Sequence, residues 1–181
     1  MLKKELNDLV TQTGPGTAMG NLFRRYWHPA LLSEQLPGPD CEPVRLELLS
    51  EKMLAFRDTE GKAHVLSNTC VHRGGALARG KVSGDRVACP YHGWEFGGDG
   101  KCAFMPTLPL DQKMPARAKV DSYPVEERYG IVFAFLGDLP EEERPPVFEI
   151  EGYDDPAWRT NDIVVFEVNA YYQRSIENGL D

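Results

Sequence analysis

The sequence predicts a mainly β protein: a small antiparallel β domain with short helices before it and the start of an α+β domain after it. Three observations predict this. Between Val44 and Leu136 apolar residues recur in short runs, several with a period of two. Those runs are separated by turn-forming clusters such as DTEGK at 58–62 and GGDGK at 97–101. Helical spacing is confined to the two ends of the chain.

Taken in order, Leu2, Leu6, Leu9 and Val10 stand at helical spacing and predict a short amphipathic helix over 2–10. TGPGTAMG (13–20) is a glycine-rich loop, and NLFRRYWHPALLSEQL (21–36) is a second apolar segment interrupted at Pro29, which lacks a backbone donor. Residues 1–35 are therefore expected to form an N-terminal helical segment. The period then changes. VRLELL (44–49), MLAFR (53–57), AHVLS (63–67), RVAC (86–89), WEF (94–96) and IVFAFL (131–136) predict strands joined by tight turns, giving an antiparallel β domain over 36–140. LPEEERPPVFEIEGYDDPAW (139–158) is proline-rich without periodicity and reads as a linker. DIVVFEV (162–168) predicts a strand and YYQRSIENGLD (171–181) the beginning of a helix, so 141–181 is expected to be a linker plus the truncated start of a further domain.

Composition narrows the function. The 181 residues suit one domain, or one domain and part of a second. A formal net charge of -8 argues against nucleic acid, whose binding needs clustered cations. The sequence has no apolar run of membrane-spanning length, and MLKKELNDLV lacks the long apolar stretch of a signal peptide, so the expectation is a cytoplasmic protein without membrane contact. The acids between Glu141 and Asp155 read as a solvated edge, while Arg73, Arg79, Lys81 and Arg86 gather near the cysteines. Of the four cysteines, Cys41 and Cys102 have no histidine at ligand spacing and read as small hydrophobes.

Cys70 and Cys89 are different. Cys70 and His72 lie in CVHRGG (70–75), and Cys89 and His92 lie in CPYHGW (89–94). Two Cys and two His suit either zinc or an iron–sulfur cluster. Zinc sites of this composition pair Cys with Cys and His with His, whereas here each loop offers one of each, with sixteen residues between His72 and Cys89. A mixed pair per loop favours a two-iron cluster of the Rieske type, with Cys70 and Cys89 on one iron and His72 and His92 on the other. Gly74, Gly75 and Gly93 let the backbone approach such a cluster closely. His28 and His64 have no companion at ligand spacing and read as structural.

These motifs, together with GPGTAMGNLFRRYWHPALLSEQLPGPDCEPVRLELLSEKMLAFRDTEG, CVHRGGAL and CPYHGWEF, resemble the N-terminal half of the oxygenase subunit of Rieske non-haem iron oxygenases, nearest the phthalate 4,5-dioxygenase-type branch of ring dioxygenases and O-demethylases. The resemblance implies a [2Fe-2S] cluster that takes electrons from a reductase or ferredoxin and passes them to a mononuclear Fe(II), which activates O2 on an aromatic substrate. It places the Fe(II) ligands beyond residue 181, and it implies that Asp181 bridges the two metal sites between neighbouring subunits of a head-to-tail homotrimer. It places Met105 and Pro106 on a loop covering the cluster. Where high-potential Rieske proteins carry an extra Cys in each loop and a Ser, this chain has Gly75, Tyr91 and Trp94. The expected potential is therefore near the low end of the range of about −150 to +300 mV for such centres. The alternative is a stand-alone Rieske ferredoxin; the segments on either side of the β domain argue against it.

Overall fold

The computed structural model describes residues 3–109, 111–159 and 166–180. Two helices open the chain, α1 (Lys4–Thr11) and α2 (Ala18–Phe23). The second begins where the Thr17 hydroxyl accepts a hydrogen bond of 3.1 Å from the Gly20 amide, an N-cap. The rest of the segment expected to be helical is not: Trp27–Leu32 forms strand β1. Pro29 is tolerated here because β1 is the edge of its sheet and the register shifts between Pro29 and Leu31, the places where a strand accepts proline.

Six expected strands follow, β2 (Val44–Leu48), β3 (Glu51–Arg57), β4 (Ala63–Ser67), β6 (Arg86–Ala88), β7 (Glu95–Gly97) and β11 (Ile131–Phe135), together with four that the sequence did not announce, β5 (Lys81–Ser83), β8 (Cys102–Phe104), β9 (Ser122–Tyr123) and β10 (Val125–Arg128). They form three antiparallel sheets, ordered β1-β11-β10, β2-β3-β4-β9 and β5-β6-β7-β8. Among the described residues after Phe135 the regular elements are a turn of 3-10 helix at Glu141–Glu143 and helix α3 (Tyr172–Leu180). The strand expected at 162–168 falls largely outside the described residues, and 166–168 carry no regular structure.

Strand β3 explains how the sheets assemble. Its run Met53, Leu54, Ala55 and Phe56 is wholly buried because both faces of the central sheet are covered. Met53 and Ala55, with Val65 of β4, face a core completed by Leu31, Val132 and Ala134 of the β1-β11 sheet. Leu54 and Phe56, with Leu66, face a second core completed by Leu77, Val82, Val87 and Phe96. Burying a side chain such as Phe56 or Leu54 contributes about 1.5–3 kcal/mol. Cys70 and Cys89 belong to that second core, so the packing that holds the β5-β8 sheet against the body also positions the two cysteine loops. Among the described residues no helix is long and apolar enough to cross a membrane.

Candidate metal centre

The first cysteine loop leaves β4 and the second joins β6 to β7. At the base of the first, buried Asn68 ties the loop to the sheet: its amide donates to the Lys52 carbonyl at 3.0 Å, its carbonyl accepts from Leu77 at 2.9 Å, and its side-chain oxygen accepts from the Ala78 amide at 2.8 Å. Nothing in the sequence singled out Asn68. The signal available was an Asn two residues before a motif cysteine, a type that readily bonds nearby backbone.

The two loops share one backbone frame. The Cys70 amide donates to the Gly75 carbonyl at 2.9 Å, and the Gly74 amide donates back to Cys70 at 2.9 Å. In the second loop the Cys89 amide donates to Trp94 at 2.7 Å and the Gly93 amide to Cys89 at 3.0 Å. Both frames close on a glycine of positive φ, +70° at Gly74 and +69° at Gly93, where a side chain would be strained. Cysteine and glycine therefore stand at equivalent points, and only the histidine differs, second after the cysteine in one loop and third in the other.

The frames bring the four candidate ligands together as two pairs. The thiols are sealed in, with Cys70 2% and Cys89 4% exposed. Burial pushes the Cys70 thiol pKa up, and the neighbouring Cys89 adds to the rise against opposing backbone amides. Gly75 makes room for this pair, since a Cβ there would sit 2.9 Å from the Cys89 sulfur. The imidazoles are exposed, their ring centroids 4.7 Å apart. Desolvation lowers the His72 pKa, and the His92 ring and Arg73 lower it further. Trp94 lies flat on His72, with 4.5 Å between centroids and 2° between planes, and Tyr91 packs on His92 at 3.9 Å. Among the described residues no three His, Cys, Asp or Glu side chains converge to hold one metal ion. Four donors divided into a thiolate pair and an imidazole pair suit two metal atoms rather than one.

The other singled-out residues lie elsewhere. His28 bonds the Phe23 carbonyl at 2.9 Å. His64 bonds Asp58 at 2.7 Å and stacks on Phe56, a structural role. Burial alone would raise the Asp58 pKa, but the His64 bond and backbone amides outweigh it and hold the carboxyl low. Cys102 is buried and bonds the Phe104 carbonyl, Cys41 is half-buried, and none of the cysteines is in a disulfide. Met105 is buried in the core below the loops, and Pro106 lies beside Gly93, where a Cβ would come within 3.2 Å of it. Arg73 is exposed. Asp181 lies outside the described residues.

Comparison with known proteins identifies this arrangement. Residues 26–124, from β1 through β9, match the Rieske [2Fe-2S] domain. The chain belongs to that family. Its Rieske domain brings a [2Fe-2S] cluster as cofactor, which sets zinc aside. The chain is 41% identical over 152 residues to the oxygenase subunit of 3-chlorobenzoate-3,4-dioxygenase of Comamonas testosteroni, covering 82% of this chain and 35% of that protein. It is 33% identical over 164 residues to the phthalate 4,5-dioxygenase oxygenase subunit of Pseudomonas putida, covering 91% and 36%. Among solved structures it resembles apo dicamba monooxygenase, with a TM-score of 0.65 and 30% identity over 75% of this chain and 41% of that one. Pseudomonas putida NdmA superposes with a TM-score of 0.64 at 31% identity, covering 74% and 40%. The chain thus spans 35% and 36% of the length of these two curated relatives.

Proposed function

We propose that Cys70 and Cys89 hold one iron, and His72 and His92 the other, of the Rieske cluster, and that the domain is the electron-entry part of the oxygenase component of a multi-component aromatic-ring oxygenase or O-demethylase. The observation that carries the ligand assignment is the shared loop frame, which seals both thiols and leaves both imidazoles at the surface. The chemistry fits the cluster: soft thiolates and borderline imidazoles are the donors a Rieske centre takes. When bound, the cluster supplies one-electron transfer. The chain's own residues exclude water from the sulfurs, fix the loops through backbone bonds and hold the rings in place.

The oxygenase reading, rather than a stand-alone ferredoxin, is supported by likeness that runs past the Rieske domain: the match to the phthalate 4,5-dioxygenase oxygenase subunit covers 91% of this chain, against residues 26–124 for the domain. On this reading a reductase or ferredoxin is the electron donor, an aromatic compound is the substrate, and a mononuclear Fe(II) is bound outside this stretch. The protein works in the cytoplasm as a head-to-tail homotrimer, since a three-fold ring closes a heterologous interface. By resemblance Asp181 bridges the two metal sites. The expected division into 1–35, 36–140 and 141–181 moves at its first boundary, because β1 (Trp27–Leu32) pairs with β11 of the middle unit.

Two experiments test this. Purified protein should show visible absorption that bleaches with dithionite and an anisotropic paramagnetic resonance signal once reduced; a colourless protein with one zinc per chain overturns the ligand assignment. Coding sequence beyond Asp181 should supply a histidine pair, and its absence within the next dozen codons (about three helical turns) leaves the ferredoxin.

A further inference from the structure

The sixth residue of each cysteine loop closes its own loop and touches a ligand of the other. Gly75 accepts the Cys70 amide, and its bare Cα leaves the space the Cys89 sulfur fills. Trp94 accepts the Cys89 amide, and its indole lies parallel to His72 of the first loop. His72 is otherwise exposed and has no side-chain hydrogen bond among the described residues. Its other ring neighbour, His92, meets it at 60° and leaves the plane of the ring free. With one ring nitrogen on iron, such an imidazole can still tilt about χ2, a broad and soft torsion. Trp94 is anchored where His72 is not: it is half-buried, and it packs against the core containing both thiols.

We propose that Trp94 is a positioning residue for the opposite loop, its indole face fixing the plane of the His72 imidazole at the cluster. The inference rests on the ligand assignment above. It concerns ring orientation, and offset stacking at this separation is the interaction that restrains it. Tyr91 cannot substitute, because its ring contacts His92.

The test is electron-nuclear double resonance on the reduced, cluster-loaded chain, which resolves the nitrogen couplings of the two imidazoles separately. In Trp94→Leu and Trp94→Met one of the two couplings should broaden while the other stays sharp, and Trp94→Phe should restore the sharp line. Couplings identical to the parent in either aliphatic variant overturn the proposal, as does equal broadening of both. If neither aliphatic variant loads a cluster, loading restored by Trp94→Phe supports the role of the ring face, and loading lost in all three overturns it. A parent protein without two imidazole couplings fails the ligand assignment itself, a result distinct from any change among the variants.

Discussion

Arg57 grips Glu127 with two parallel hydrogen bonds of 2.9 Å, joining β3 of the central sheet to β10 of the β1-β11-β10 sheet. The same guanidinium donates to the carbonyls of Leu36 at 2.9 Å and Gly61 at 2.6 Å, so one side chain holds four segments. The Arg57 bonds hold the Glu127 carboxyl below its usual range, with burial opposing them.

A depressed carboxylate pKa stabilises the fold above the unfolded-state value of about 4.3, and that contribution is lost as pH falls through the folded value. Glu127→Gln should therefore lower stability at pH 7 by about 1 kcal/mol, a figure discounted for solvent screening. Its carboxylate side chain is 34% exposed. The gap between parent and variant in urea unfolding should close as pH drops below about 4. A gap that persists unchanged at low pH counts against the ion pair. Arg57→Ala, which also strands two carbonyls, should cost about 2–3 kcal/mol.

A Cβ on Gly98 would lie 2.1 Å from Nδ1 of the His64 ring, whose Nε2 is bonded to buried Asp58. Gly98→Ala should destabilise by about 2–3 kcal/mol, because the ring cannot retreat without breaking its bond to Asp58. Combined with His64→Ala, the same change should cost far less than the sum of the two. Additive costs in chemical unfolding would show that the contact between β4 and the β7-β8 turn does not hold the sheets together.

His72→Cys or His92→Cys should still load iron and sulfide but move the midpoint potential down, toward the value of about −400 mV of all-cysteine plant-type clusters. Redox titration followed by visible absorption reads this directly. An unchanged potential would remove the substituted histidine from the ligand set.

Gly75→Ala should lower cluster content per chain, since the added methyl presses on the Cys89 sulfur and on Tyr91 Cβ, at 2.9 and 3.4 Å. Iron and acid-labile sulfide assays on purified protein check it. Full loading would mean the sulfur has more freedom than the packed core suggests.

The hairpin of β3 and β4 was legible because a short apolar run on each side of DTEGK agrees with the turn: the Asp58 amide bonds the Lys62 carbonyl at 3.0 Å, and Gly61 takes φ +85°. The four candidate ligands were legible because their types and spacing carry the chemistry. Strand β1 was hidden by Pro29, whose edge position cannot be known until β11 is seen beside it. Strands β5, β8 and β9 are three, three and two residues long, too short to display a period. The contacts of Trp94 with His72 and of Gly98 with His64 join segments brought together only by sheet packing, so no local pattern announces them.

The burial of Cys70 and Cys89 beneath exposed His72 and His92 gives the domain a front and a back. Leu54, Leu66, Leu77 and Phe96 insulate the sulfur side. On the proposed ligand assignment, charge has one short way in or out, over the rings. A protein approaching from behind would face the full thickness of a hydrocarbon wall.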